Sequence, residues 1–203
     1  LADKETLTER GSDFLNRMNK SSERMQHMIR DLLNYSKVSS QQNTQDNVNL
    51  NECLNEVLES ISLQLEETEG KIEVSELPEL QASPLHMHQL FQNLLSNALK
   101  FTPADRKPHI TVKCSFEGAT EFQIDVQDNG IGFEDNFSER IFQPFQRLHG
   151  RHEYAGSGIG LAICRKIVEH YQGKIWAKSL PDSGSCFSIV LPFEQSGPEE
   201  VSE

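Results

Sequence analysis

"EFQIDVQDNGIGF", residues 121–133, sets Phe122, Ile124 and Val126 against Gln123, Asp125 and Gln127, then breaks at Asp-Asn-Gly. Alternation with a period of two is the pattern of a strand with one buried face. Asp128 therefore stands where that strand exits. A carboxylate held there can accept a hydrogen bond from an exocyclic amine such as that of adenine. A hydrogen bond to a charged group contributes ~1.5–3 kcal/mol, enough to decide a nucleobase preference. Gly130 and Gly132 allow the backbone to pass close to a flat ring. Just upstream, "HITVKCSF" (109–116) and the turn "EGAT" (117–120) complete a β-hairpin.

A second glycine cluster, "GSGIGLAI" (156–163), leads into the apolar-periodic "LAICRKIVEHY" (161–171). A glycine-rich turn that feeds a helix N-terminus offers N–H groups and a positive dipole end to an anion. Gly156, Gly158 and Gly160 carry that reading. No Gly-Lys-Ser/Thr follows, so this is no P-loop, and no strand ends just before it, so it is no dinucleotide-binding unit. Further upstream, "FQNLLSNALKFT" (91–102) places Asn93 and Asn97 at i and i+4 on one helical face, with Lys100 a turn on. Leu90, Leu94, Leu95 and Leu99 form the apolar counterface. Amide oxygens can ligate Mg²⁺ and a lysine suits phosphate. An exposed polar stripe fits the same helix, although asparagines there cost helix stability, as functional positions often do.

Around these motifs, residues 50–66 have a helical pattern and "KIEVSEL" (71–77) that of a strand. A helix over 83–101 has Ser83 as N-cap and Pro84 at its first position. Residues 158–171 predict another helix, and "GKIWAKSL" (173–180) and "SCFSIVLPF" (185–193) two more strands. The expected class is α+β: a two-layer α/β sandwich with helices over one face of a mixed sheet. Ahead of it, Leu7, Gly11, Phe14, Met18, Ser21, Met25, Met28, Leu32 and Tyr35 alternate by four and three residues, a seam for packed helices. Gly11 shifts the expected start of that helix to Ser12 as N-cap. Leu15, Ile29 and Leu33 widen the stripe toward a bundle. The expected organisation is a bundle helix over 1–38, a linker over 39–48, a folded domain over 49–193 and a disordered tail over 194–203.

The 203 residues carry a formal net charge of −12 at pH 7, which argues against nucleic acid or an anionic membrane as the main partner. No apolar run approaches the ~18–20 residues of a membrane span, and no signal-peptide core opens the chain, so no direct membrane insertion and a cytoplasmic location are expected. Cys53, Cys114, Cys164 and Cys186 are spaced too widely for a metal or disulfide framework, and buried free thiols are expected.

Taken in order, "NLLSNALKFT", "DNGIGF", "IFQPFQRL", "GSGIGLAI" and "GSCFSIVLP" resemble the N, G1, F, G2 and terminal glycine boxes of sensor histidine kinases. "SSERMQHMIRDLLNYSKV" (21–38) resembles the second helix of their dimerisation and phosphotransfer bundle, and residues 145–176 are especially similar to the phytochrome-like and hybrid PAS-linked kind. The resemblance spans about residues 12–193. It implies one ATP pocket of the Bergerat type, with ATP and Mg²⁺ as its ligands. Asp128 would read adenine within a loop shaped by Gly130 and Gly132. Asn97 and Asn93 would hold the metal, Lys100 would face phosphate and Phe101 would line the pocket. Residues 133–157 would form a lid tethered by Phe142 and Phe145, with Arg147 reaching phosphate. Gly156, Ser157, Gly158, Ile159, Gly160 and Leu161 would contribute from the second glycine box.

The phosphoacceptor of this family lies in a "His-Glu/Asp-x-x-x-Pro" setting, which none of His27, His86, His88, His109, His149, His152 and His170 has. The γ-phosphate is therefore expected to go to a histidine outside these residues. His27 fits a bundle surface better, while His149 and His152 fall in the lid. Ser83 replaces an acid often found before the asparagine helix. The implied partners are a second copy, joined through the N-terminal helix, and a response-regulator receiver domain. Two alternatives are a degenerate module that binds nucleotide without catalysis and a gyrase- or chaperone-like ATPase. The ATPases place a glutamate four residues before the metal-binding asparagine; here that position is Asn93.

Overall fold

A computed structural model describes residues 8–38, 46–118, 120–148, 154 and 156–193, leaving aside the side chains of Glu9, Lys20, Arg24, His27 and Glu117. The expectations for His27 as a surface residue, for His149 and His152, and for the tail lie outside what is described.

The sandwich is built on a mixed five-stranded sheet, comprising β2 (Lys71–Val74), β4 (His109–Glu117), β5 (Glu121–Asp128), β6 (Lys174–Ser179) and β7 (Ser185–Pro192). Their order is β2-β4-β5-β7-β6, with β2 parallel to β4 and every other pair antiparallel. Phe122, Ile124 and Val126 line up with Leu191, Ile189 and Phe187 on one face. That face is covered by α2 (Leu50–Glu67), α3 (Pro84–Lys100) and α4 (Gly160–His170). Val57, Leu90, Phe91, Leu95, Ile124, Ile167 and Ile189 are all fully or almost fully buried between the layers. Full burial of such a side chain contributes ~1.5–3 kcal/mol, so this inner face is the main source of stability.

Several local expectations need correction. The first helix, α1, runs Glu9–Lys37 and is capped by Thr8, whose Oγ1 accepts from the Gly11 amide at 3.2 Å, not by Ser12. The Ser12 amide already donates to the Thr8 carbonyl at 3.0 Å, because a glycine in the first turn is tolerated once the cap is in place. Ser83 occupies the N-cap position of α3, but its side chain makes no capping bond. Its carbonyl accepts from His86 and Met87 instead, and its amide donates to Tyr171 Oη at 2.9 Å. The end of the expected linker is a strand, β1 (Asp46–Asn49), paired with β3 (Glu79–Ala82) in a separate two-stranded sheet. "KIEVSEL" keeps strand geometry only over β2. Cys53 and Cys164 are buried free thiols, whereas Cys114 and Cys186 are only half-buried.

Along α1, Phe14, Met18, Met25, Met28, Ile29, Leu32 and Leu33 are exposed. Its C-terminal end behaves differently, since Val38 is buried and Tyr35 packs against the core of the sandwich. Lys166 of α4 donates to the Tyr35 carbonyl at 2.7 Å and lies 4.2 Å above the Tyr35 ring. Among the described residues no helix is long and apolar enough to cross a membrane.

Candidate functional site

The site gathers around the C-terminal end of α3. Periodic apolar residues bury one side of this helix, from Met87 through Leu99, and thereby turn Asn93, Asn97 and Lys100 to its half-buried side. Asn93 Nδ2 is buried without a hydrogen-bond partner among the described residues. Lys100 Nζ sits 4.2 Å over the ring of Phe101, which ends the helix. Burial, with the positive charge of Arg147 adding to it, holds the Lys100 amine below the usual lysine range. Two cations crowd a half-buried space, an arrangement that favours an anion between them.

Asp128 enters from the end of β5, 7 % exposed. Its Oδ1 accepts from the Gly130 amide at 2.8 Å and from the Ser185 amide at 3.1 Å. Burial raises its carboxyl above the usual range, and those two amides pull in the opposite direction. Both bonds fall on one oxygen, which fixes the carboxylate plane and leaves Oδ2 to meet a ligand. The loop beyond it presses on α3, where the Ile131 amide donates to the Phe101 carbonyl at 3.0 Å. Gly132 adopts φ +62°, and a Cβ there would fall 2.1 Å from the Leu180 carbonyl oxygen, so this position demands glycine.

The second glycine cluster lies on the other flank of α3. A Cβ at Gly160 would stand 3.0 Å from Asn93 Oδ1, and one at Gly156 would stand 3.0 Å from Lys100 Nζ. The two glycine clusters are thus the two flanks of one site. α4 starts at Gly160 with no side-chain cap at Ile159, so its first amides face outward toward any anion there. Ile159 itself is buried and Leu161 packs against the core, so a ligand could meet these two only through their backbone. Ser157 Oγ accepts from the Ile159 amide at 3.3 Å and donates to Asp31 Oδ2 of α1 at 2.5 Å.

Between the clusters, residues 135–137 and 140–142 form two short 3₁₀ turns. Phe142 docks as expected: it is buried, edge-on to Phe187 and covered by Arg165 at 4.4 Å. Phe145 does not. It is 53 % exposed, because its φ of +64° turns the side chain outward while its amide ties to the Gly158 carbonyl at 2.9 Å. Arg147 donates to the carbonyls of Gly156 and Tyr154, both at 2.6 Å, and so braces the loop beside Lys100.

Three contributors escaped sequence reading. Tyr154 leans on Phe101 at 5.0 Å between ring centroids. Ser185 supplies an amide to Asp128, and the glycine before it in "SGSCF" was the available signal. Arg106 donates through Nη1 to the carbonyls of Asn129 at 2.5 Å and Gly130 at 3.0 Å, which no pattern in the sequence reveals. Among the histidines, His86 is 2 % exposed and pairs through Nδ1 with Tyr171 Oη at 2.9 Å, an interior role.

Residues 82–195 match the model of the histidine kinase-, DNA gyrase B- and HSP90-like ATPases. The chain is 41 % identical over 189 residues to the phytochrome-like protein Cph1 of Synechocystis sp., covering 93 % of this chain and 25 % of that protein. It is 34 % identical over 188 residues to the sensor protein kinase WalK of Staphylococcus saprophyticus, covering 89 % of this chain and 30 % of WalK. It thus spans between a quarter and a third of the length of these relatives. Full-length ShkA, solved in complex with AMPPNP, superposes with a TM-score of 0.72 at 22 % identity, over 95 % of this chain and 41 % of ShkA.

Proposed function

From the premise that the chain belongs to the histidine kinase-, DNA gyrase B- and HSP90-like ATPase family, as the ATP-binding catalytic region of a sensor histidine kinase, we propose that it binds Mg-ATP and transfers the γ-phosphate to a histidine outside these 203 residues. The observation that carries the proposal is that both glycine clusters abut the one helix that bears Asn93, Asn97 and Lys100, Gly130 at the Phe101 carbonyl, Gly156 at Lys100 and Gly160 at Asn93, with Asp128 buried beside the first. Adenine would lie against the 128–132 loop and donate its exocyclic amine to Asp128 Oδ2. The phosphates would run toward Lys100 and the uncapped start of α4, where Gly156, Ser157, Gly158, Gly160 and Leu161 meet them. Arg147 and Tyr154 would close over them. The complex of ShkA with AMPPNP supports the same occupancy on the same fold.

The donor set fits a magnesium ion. Asn97 and Asn93 would offer amide oxygens to it, and Asn93 Oδ1 stands at Gly160, where a Cβ would come within 3.0 Å and the bare glycine leaves room. Bound Mg²⁺ would neutralise charge on the β- and γ-phosphates. The chain's own part is positioning: Asp128 fixes the base, Lys100 holds phosphate charge, and the lid excludes water. Asn93 cannot take a proton from water at neutral pH, so ATP would persist until an imidazole arrives. That disfavours the ATPase reading.

Assembly as a homodimer through α1, delivery of the phosphoryl group to a receiver domain, and a cytoplasmic setting complete the proposal. The test is incubation with γ-labelled ATP and Mg²⁺, alone and with the histidine-bearing bundle of a phytochrome-like relative. Acid-labile label should appear on the added bundle and not on this chain, with little free phosphate. Label on this chain would overturn the reading of its histidines, and brisk phosphate release would overturn the role of Asn93.

A further inference from the structure

We infer that Arg106 is the positioning residue for adenine recognition, an inference that rests on the function proposed above. Asp128 can discriminate a base only if its free oxygen points one way, and that orientation depends on two amides bound to Oδ1: Gly130 at 2.8 Å and Ser185 at 3.1 Å. The Ser185 amide opens β7 and is held by that strand, whereas the Gly130 amide belongs to the turn that follows β5, outside any helix or strand, so it is the one that needs a separate anchor.

Arg106 supplies that anchor, because the Asn129 carbonyl it binds shares one peptide group with the Gly130 amide. Its Nη1 donates to the carbonyls of Asn129 at 2.5 Å and Gly130 at 3.0 Å, and reaches the Asp182 carbonyl at 3.4 Å. Arg106 is half-buried, and its hydrogen-bond partners among the described residues are backbone oxygens. Nη1 carries two hydrogens fixed in the guanidinium plane, one for each of the Asn129 and Gly130 carbonyls, and lysine would offer them less directional bonds. Other ties join the segments on either side, from the Asp182 amide to the Ile131 carbonyl at 2.7 Å and from the Phe133 amide to Ser179 Oγ at 2.9 Å, and neither touches the 129–130 peptide. The segment around Arg106 is itself anchored separately. Asn129 Nδ2 donates to the Lys107 carbonyl at 2.9 Å, and Asn129 Oδ1 accepts from the His109 amide at 2.9 Å. Loss of the guanidinium therefore loosens the aim of Asp128 without detaching the loop from the sheet.

The test compares ATP with purine riboside triphosphate, which lacks only the exocyclic amine, by calorimetry on wild type, Arg106→Met and Arg106→Lys, each with a melting curve. Wild type should prefer ATP by about tenfold, the worth of one hydrogen bond to a charged group. Arg106→Met should bring the ratio close to one by weakening ATP and leaving the purine analogue nearly unchanged, and Arg106→Lys should fall between. A purely structural role would weaken both nucleotides alike, and a preserved ratio in Arg106→Met overturns the inference. Should that variant fail to fold, full wild-type discrimination in Arg106→Lys overturns it equally. A wild type that binds both nucleotides with the same affinity removes the adenine role of Asp128 and this inference with it. Binding of neither overturns the proposed function itself.

Discussion

Asp128 is expensive to bury as an ion. Its carboxyl sits above the usual range in the folded protein because desolvation outweighs the amides of Gly130 and Ser185. A carboxyl raised on folding contributes stability that is complete below its unfolded pKa and lost as pH rises through its folded pKa. Asp128→Asn should therefore melt higher than wild type at neutral pH, with the difference shrinking as the medium is acidified. The same variant should lose at least tenfold in ATP affinity, ~1.4 kcal/mol, in a calorimetric titration. For wild type, ATP affinity should fall as pH drops through the folded pKa of Asp128, and that dependence should flatten in the variant. Higher stability combined with weaker binding is what a residue placed for recognition gives when it is neutralised. Gly132 obeys the opposite logic. Alanine there meets the Leu180 carbonyl and a left-handed backbone, so Gly132→Ala should destabilise the fold by ~1–3 kcal/mol in denaturant titrations.

At the scale of elements, α1 presents Met18, Met25, Met28 and Leu32 to solvent over several turns. An apolar stripe of that length calls for partner helices, and light scattering should find a dimer that Met18→Glu with Met25→Glu converts to a monomer. Which elements could be read in advance follows from their length and pattern. α3, the β4–β5 hairpin and α4 carry enough periodic residues for one face to declare itself, and with them came Asn93, Asn97, Lys100 and Asp128. β1 and β3 escaped because each has only four residues: β1 carries a single apolar one, and the alternation of β3 is too short to declare a strand. Phe145 was misjudged because an aromatic beside a docking phenylalanine looks buried until its backbone sign is known. Arg106 could not have been found, since its partners are carbonyls 23, 24 and 76 positions away and carbonyls have no residue identity.

Across the whole molecule, Asp31 and Tyr35 of α1 touch Ser157 and Lys166 of the nucleotide domain. The first of these contacts places a carboxylate on the hydroxyl beside the turn assigned to the phosphates. A polyphosphate entering there meets a like charge within a partly desolvated site, where repulsion is weakly screened. Occupancy of the pocket and attachment of the helix would then share one free energy. Whatever factor ATP exerts on release of α1, release of α1 exerts on ATP affinity. Asp31→Asn, which keeps the hydrogen bond and removes the charge, should tighten AMPPNP several-fold, and most at low salt. An unchanged affinity at low salt would show that the two events are independent. If they are coupled, a twist applied to the far end of α1 is already a change in nucleotide affinity, without any separate messenger between them.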